Sequence, residues 1–408
     1  MKKSIVVIHW TTLLSLIATP LLAGGILNKQ NMSADYIRTL NRQAATDYAD
    51  IAVYNPAGIM KMKTGKYIKL DVQYLAKNYS NSLAGVGELD QNEASIIPGI
   101  FAIHKEDNWA GYMTASLVGG GGKVDYKSGN ARSVTSISGL LRVPFATAGL
   151  FPQQVEVESI YAGYTIGMAY AINEMFSFSG GVRYVTAYKK YTLSADGLPV
   201  FGDTTLELKD DADGWGGVFG VNIAPNDSWN IGLRFETATR LDFELDVRQG
   251  AQLLALMGYQ DGRKEREDLP ALLGMGASYK ILDNLKLDAN LIYYLEKNAT
   301  WETGFDGAGN SYDAGLSAEY RFNSEWMASV GYLYSDLNID SNQLLVVPEE
   351  PKLDAHSFAI GGVWSATETL DVTMGALKTI YSDETDPLGI KYEKDVWGLS
   401  CGLQWKFR

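Results

Sequence analysis

The chain has 408 residues, of which 46% are hydrophobic and 20% are charged, with 42 glycines, 24 tyrosines and one cysteine. Its formal net charge of −13 argues against nucleic acid as a partner, because phosphate binding requires a basic surface. The single Cys401 excludes an internal disulfide, and the sequence has no Cys/His set suited to a metal ion. We expect no metal and no cofactor.

Residues 1–23 have the pattern of a signal peptide. Lys2 and Lys3 precede an apolar stretch from Ile5 to Leu22, and small residues follow at Ala23 to Gly25. A membrane anchor is the alternative, but no stop-transfer charges flank the segment. Cleavage after Ala23 would leave a net charge of −15, since both lysines are removed. Later apolar runs are shorter than the roughly 18 residues of a spanning helix, so we expect an exported chain without transmembrane helices.

The mature sequence is dominated by alternation with a period of two, which is typical of β-strands. The final segment illustrates this, because its apolar side chains fall on one face and its small or polar side chains fall on the other. A soluble sandwich would also alternate. The apolar face consists of Trp397, Leu399, Cys401, Leu403, Trp405 and Phe407, and the opposite face of Val396, Gly398, Ser400, Gly402, Gln404 and Lys406.

The connections between strands distinguish a barrel from a sandwich. Residues 66–408 divide into about fourteen strands, with tight turns and long loops in strict alternation. Short turns at one rim and long loops at the other are typical of bacterial outer-membrane barrels. We therefore predict an all-β fold, a 14-stranded antiparallel transmembrane β-barrel in the Gram-negative outer membrane. The longest extracellular loops are expected near residues 119–154 and 247–269.

Residues 24–65, before the first strand, do not alternate. Their apolar positions and the turn Asn55-Pro56-Ala57-Gly58 predict one or two short helices. These groups must be buried, and the barrel lumen is the only large concave surface available. We predict an N-terminal hatch, or plug, inside the lumen rather than a flexible periplasmic tail, because such tails are usually more charged and less aromatic.

The plug sequence resembles the N-terminal hatch of the FadL/TodX family of outer-membrane transporters for long-chain fatty acids and other hydrophobic molecules. The resemblance is carried by residues 33–38, by residues 50–54 and by Asn55-Pro56-Ala57-Gly58. Residues 269–279 are also similar to that family's eighth and ninth strands. The resemblance implies a 14-stranded barrel with a small hatch, and a lateral opening made by a kinked strand. Pro98-Gly99 is a candidate for the kink, since proline interrupts a ladder.

Two long loops are apolar where a hydrophilic channel would display polar residues. Helical spacing of some of these positions predicts short helices, which could either pack together as a lid or form a groove for an acyl chain. We predict hydrophobic ligand contacts at Val134, Ile137, Leu140, Leu141, Phe145, Phe151, Leu253, Leu254 and Met257. Candidate cations for a carboxylate head group are Arg142, Arg248 and Arg183, with Arg234 and Lys189 as further possibilities.

The sequence predicts no enzyme. Only His104 and His356 follow the signal peptide, and no Ser/His/Asp constellation is apparent. Gly119 to Lys123 superficially resembles a phosphate loop, but Val124 replaces the required Ser/Thr, and a glycine-rich strand end explains it better.

The predicted function is passive outer-membrane transport of long-chain fatty acids or other hydrophobic molecules, with the hatch as the gate. A general porin or a surface adhesin built on the same barrel is the alternative. The expected partners are the hydrophobic ligand, outer-membrane lipids and the barrel assembly machinery.

Overall fold

The computed structural model describes residues 28–302, 309–344 and 348–407, so the predicted signal peptide lies outside the described residues. The strands are β1 (Gly65–Leu83), β2 (Gly87–Gln91), β3 (Ala94–Lys105), β4 (Trp109–Tyr126), β5 (Gln153–Ala171), β6 (Phe176–Leu198), β7 (Gly202–Ile223), β8 (Trp229–Glu236), β9 (Asp242–Gln249), β10 (Lys264–Arg266), β11 (Leu272–Leu282), β12 (Leu285–Tyr294), β13 (Tyr312–Arg321), β14 (Trp326–Asp336), β15 (Ala355–Thr367), β16 (Leu370–Tyr381), β17 (Glu384–Thr385) and β18 (Lys391–Phe407). The helices are α1 (Ala34–Thr39), α2 (Ile51–Tyr54), α3 (Ala131–Leu141), α4 (Phe145–Ala148), α5 (Ala251–Leu256) and α6 (Ser341–Leu344), with 3-10 helices at Pro56–Lys61 and Glu296–Asn298.

The strands form one closed antiparallel sheet. The first and last strands close it, with pairs running from Lys66 opposite Phe407 to Ser82 opposite Lys391. Three wall strands are interrupted, so that β2 with β3, β8 with β9, and β10 with β11 each act as one, while β17 is a short extension beside β18. The predicted 14-stranded barrel is confirmed. Because the first strand pairs with the last, the sheet has no unpaired terminal strand, which a bilayer would penalise.

The wall places apolar side chains outside and polar side chains inside, which is the reverse of a soluble protein. In β1, Ile68 and Val72 are 42% and 47% exposed, whereas Lys69 and Gln73, which directly follow them, are 0% and 1% exposed. The predicted apolar face of the last strand also points outward, with Trp397 and Phe407 exposed. This arrangement suits a wall that faces lipid hydrocarbon.

The two rims differ as the sequence predicted. Tight connections such as residues 106–108 and 283–284 lie at one end, called here the short-turn rim. The long loops, including residues 127–152, 337–344 and 348–354, lie at the other end, called here the long-loop rim.

Several strands extend far into the long-loop rim. Residues 194–204 belong mostly to β6 and β7, whose pairing continues to Leu198 opposite Gly202. The predicted loop of residues 119–154 is shortened, since β4 runs to Tyr126 and β5 begins at Gln153. The wall strand after β7 is broken between Glu236 and Asp242, where Thr239 bridges to Leu269 instead.

The plug, residues 28–64, lies inside the barrel as predicted. Helix α1 begins at a serine cap, where the Ser33 hydroxyl accepts a hydrogen bond from Tyr36 N–H at 3.0 Å. It packs against the wall strands β14, β15, β16 and β18. The 3-10 helix Pro56–Lys61 packs against the opposite wall, on β4 to β8. The plug therefore reaches from one side of the bore to the other.

None of the helices in the described ranges is long and apolar enough to cross a membrane.

Candidate functional site

Buried ion pairs fix the plug to the wall. Arg38 bonds to Asp35 of its own helix at 2.8 Å and to Glu319 of β13 at 2.6 Å. Lys69 of β1 bonds to Asp35 at 2.8 Å. Burial alone would raise the pKa of the Asp35 carboxyl, but Lys69, Arg38 and Arg42 together hold it well below its usual range. Because these charges lie out of water, each needs its partner in place.

Replacing Glu319 with Gln is expected to loosen the plug, because it leaves the buried Arg38 guanidinium with one carboxylate fewer. Breaking one partner of a buried pair costs about 3–5 kcal/mol. Faster hydrogen exchange in residues 33–42 would report the change. Glu244→Gln is the matched control, since Glu244 pairs with Lys264 on the exposed surface. Equal exchange rates in the two variants would contradict this role for Arg38.

The predicted hatch motif Asn55-Pro56-Ala57-Gly58 is held tightly against β6 and β7. The Asn55 amide donates to the Ala45 carbonyl at 3.0 Å and to the Asn222 side chain at 2.8 Å. The Ser177 hydroxyl donates to the Ala57 carbonyl at 2.8 Å. A side chain at Gly58 would collide with the Asn55 amide, which an added Cβ would approach to 2.3 Å. The motif thus anchors the plug.

The wall is interrupted between β3 and β4. Their pairing begins at Lys105 opposite Ala110 and stops at Gly99 opposite Ser116. Beyond that point β3 continues to pair with β1 on its other side, as far as Ala94. Residues 94–98 and 117–122 therefore face each other without ladder pairs, and we call this place the wall gap.

A glycine bulge in β4 forms one side of the wall gap. The β4–β5 register shifts at Gly119 and again at Gly122, and Gly120 and Gly122 have φ of 83° and 71°. Glycine adopts such values readily. The Lys77 ammonium donates to the carbonyls of Gly121 at 2.7 Å and Lys123 at 2.6 Å, and Gly121 is one of the residues that the bulge leaves out of the β4–β5 register.

The wall gap opens into a cavity in the lumen. This lumen cavity has a volume of about 420 Å³ and lies above the plug, whose residues Asn28 to Asn31 form part of its lining. Ile96 is 61% exposed on the outer face of the barrel, yet it lines the same cavity as Lys77. The lining of the cavity therefore extends to the wall gap. The plug touches this edge directly, because Lys29 N–H donates to the Val118 carbonyl at 2.8 Å.

Four lysines and a glutamate meet in the lumen cavity. The Glu350 carboxylate lies 3.4 Å from the Lys352 ammonium, 3.6 Å from Lys29 and 3.9 Å from Lys394. Lys77 lines the same cavity. We call Lys29, Lys77, Lys352 and Lys394 the lysine cluster.

The lysine cluster keeps Glu350 ionised. Burial alone would raise the pKa of the Glu350 carboxyl, but Lys352, Lys29, Lys394 and Lys77 hold it well below its usual range. Burial lowers the pKa of Lys352 to about 8, although the Glu350 carboxylate acts in the opposite direction. The cluster therefore stabilises a buried carboxylate in its ionised form.

A second cavity, of about 250 Å³, lies between helices α3 and α5 at the long-loop rim. We call it the outer cavity. Strand residues Tyr191, Leu193 and Leu206 form its floor. The predicted ligand contacts that line it are Ile137, Leu140, Leu253, Leu254 and Met257. The structure therefore brings together side chains from two loops that are more than a hundred positions apart in the sequence.

The remaining predicted contacts lie elsewhere. Val134 is fully buried, and Leu141, Phe145 and Phe151 pack in the same apolar cluster beneath the loop. Helix α3 turns this face toward the barrel because its start is fixed by a capping box, in which Asn130 and Ser133 exchange hydrogen bonds. These side chains hold the loop in place. Their role as ligand contacts stays a prediction.

The predicted head-group cations have different surroundings. Arg142 lines the outer cavity. Arg248 pairs with Asp246 on the exposed surface, and Arg183 pairs with buried Glu236 deep in the barrel. Neither of these two lines the outer or the lumen cavity, and their role as head-group cations stays a prediction. Of the further candidates, Arg234 donates to the plug residue Gln30, and Lys189 pairs with Glu267.

The lysine cluster was missed by sequence reasoning. Its members come from the plug, from β1, from β18 and from the loop before β15, so no spacing along the chain connects them. The one available signal was the inward phase of Lys77 in an alternating strand. No group of three or more His, Cys, Asp and Glu residues suited to a metal ion occurs in the described part of the chain.

Comparisons with known proteins give a structural match without a sequence match. No protein-family model and no curated protein matches the chain. A crystal structure of a Pseudomonas aeruginosa FadL homologue is 12% identical, with a TM-score of 0.71 over 94% of this chain and 100% of that chain. The P. putida toluene transporter TodX is 14% identical, with a TM-score of 0.67 over 88% and 94%. The Ralstonia pickettii toluene transporter TbuX is 12% identical, with a TM-score of 0.61 over 88% and 94%.

The structure is that of a plugged transmembrane β-barrel of the outer-membrane type. More particularly, the chain has the fold of the FadL homologue and of the toluene transporters.

Proposed function

We propose that this barrel transports small hydrophobic molecules passively across the outer membrane, and that long-chain fatty acids and aromatic hydrocarbons are its substrate classes. The observation that carries the proposal is the position of the lumen cavity. The cavity lies above a plug that fills the bore, and it is lined by residues of the wall gap. The similar barrels named above include toluene transporters, which supports a substrate of this kind.

The proposed route begins at the outer cavity. Transfer of an alkyl chain from water gains about 0.8 kcal/mol for each buried methylene, so an apolar cavity captures a long chain with few polar contacts. The two cavities are linked through neighbouring residues of one loop. Glu349 pairs with Arg132, which lines the outer cavity, and the next residue, Glu350, lines the lumen cavity. From the lumen cavity the substrate would leave sideways, through the wall gap.

The plug has two parts in this proposal. Its hatch motif keeps the bore closed to water. Its first described residues, Asn28 to Asn31, line the lumen cavity and touch β4 beside the wall gap. A shift of this segment would reshape the cavity and weaken binding of the substrate, which is how the hatch would act as a gate.

A change at the outer cavity tests the proposal. Leu253→Asp places a charge where an alkyl chain would lie, and losing the burial of one leucine-sized group, about 1.5–3 kcal/mol, is expected to slow uptake of a labelled hydrophobic substrate roughly tenfold or more. Leu150→Asp is the control, since Leu150 is 82% exposed in the other long loop and lies outside both cavities. Unchanged uptake together with lost cell attachment would favour the adhesin and contradict the transporter.

A further inference from the structure

The lumen cavity combines an anion site with apolar space. Ammonium groups of the lysine cluster surround one end, while Leu75, Ile97, Leu117, Leu333 and Leu377 line the remainder. Lys394 is further held over the rings of Tyr79 and Tyr381, at 4.6 Å and 4.8 Å from their centres. Such a site fits a molecule with a carboxylate head and an alkyl body.

In this structure the anion is supplied by the chain itself. Glu350 reaches the lysine cluster from a loop, and its carboxylate lies against the backbone of Gly121, where an added Cβ would come within 2.0 Å of it. Three lysines of the cluster, Lys352, Lys29 and Lys394, lie 3.4–3.9 Å from this one carboxylate. Asp313, another acid of the cavity, receives hydrogen bonds from Tyr294 at 2.7 Å and from Ser335 at 2.6 Å, so its charge is satisfied on the wall.

We infer that Glu350 is a specificity-determining residue, a built-in competitor that an acidic amphiphile must displace from the lysine cluster. The inference rests on the proposed transport function. A ligand whose site is partly occupied by the protein binds with an apparent affinity reduced by that occupancy. A carboxylate ligand can replace Glu350 charge for charge, whereas a neutral molecule of the same length must leave Glu350 in place.

The test compares octanoate with 1-octanol, which differ in the head group and share the alkyl length. Dissociation constants are measured by calorimetry on the barrel in lipid nanodiscs, for the unaltered protein, for Glu350→Gln and for the control Glu325→Gln in an exposed short turn. Glu350→Gln is expected to lower the ratio of the octanoate constant to the octanol constant at least tenfold, which is about 1.4 kcal/mol. A ratio unchanged from that of the unaltered protein would overturn the inference.

Two further variants make the result specific. Adding Lys394→Met to Glu350→Gln is expected to abolish the gain for octanoate. If Glu350→Gln does not fold into a heat-modifiable barrel, Lys394→Met is tested alone. It is expected to weaken the binding of octanoate at least threefold more than the binding of octanol. Equal weakening of the binding of both ligands would overturn the inference. Uptake of octanol by the unaltered protein tests the transport function separately. Its absence contradicts that function, while octanol uptake with an unchanged ratio contradicts only the role of Glu350.

Discussion

Oxidation of a Ser95→Cys, Gly122→Cys double variant is expected to reduce uptake of a hydrophobic substrate at least tenfold, and a thiol reductant is expected to restore it. An added Cβ at Gly122 would lie 3.2 Å from Ser95 Cβ, close to the roughly 3.5–4.5 Å of a disulfide. The bond would hold β3 and the β4 bulge together at the wall gap. In the proposed route the substrate leaves sideways through that gap, so a disulfide across the gap would block its release.

The reversal by reductant separates the effect of the bond from that of the substitutions. Gly122 has a φ of 71°, so cysteine there carries backbone strain of about 1–3 kcal/mol, which persists when the bond is reduced. Ala277→Cys with Ala289→Cys is the control pair, because these residues face each other in the unbroken β11–β12 ladder. Full uptake by the oxidised gap variant would exclude the wall gap as the exit.

Deletion of residues 28–60 is expected to turn the barrel into an open channel, with a rise in single-channel conductance of at least tenfold in planar bilayers. The plug spans the bore and buries its charges against inward-facing wall residues such as Lys69 and Glu319. Without it, these charges would face water in a polar lumen, as they do in porins.

The intact protein and the deletion variant must first be compared for barrel integrity, by their heat-modifiable mobility. A deletion variant that folds and still conducts no ions would show that the loops close the bore, and would contradict the role given to the plug. An intact protein that conducts as well as the deletion variant would favour the porin.

The barrel could be predicted because the alternation of apolar and polar side chains that defines its wall is visible within each strand. Strand alternation places every second side chain in lipid, so the outward phase of Trp397 and Phe407 is present in the sequence itself. The plug followed from its failure to alternate and from the motif at Asn55. Strand ends were predicted less well, because nothing local stops β6 and β7 from pairing beyond the bilayer to Leu198 and Gly202.

The sequence indicated the β3 side of the wall gap but not its β4 side. Pro98-Gly99 was the candidate kink, and pairing between β3 and β4 does stop at Gly99. Pro98 itself stays in register opposite Val72 of β1, and the bulge lies across the gap, at Gly119 to Gly122. That glycine run was recognised only as a strand end, because its effect depends on which strand it faces.

The candidate site could be predicted only where one segment carries the pattern. The spacing of Ile137 and Leu140 and the run at Leu253 and Leu254 are visible in single loops, and these side chains meet in the outer cavity. The lysine cluster depends on the closure of the barrel, which brings β18 beside β1 and sets the plug beneath both. Its four lysines therefore share no spacing along the chain.

The most direct measurement is the permeability of liposomes that contain the intact protein, compared for a hydrophobic solute such as toluene and for a small sugar such as arabinose. The proposed lateral route predicts faster toluene entry than in protein-free liposomes, with no added permeability to arabinose. Equal acceleration of both solutes would show an open aqueous pore, and acceleration of neither would show that the barrel is not a conduit for hydrophobic molecules.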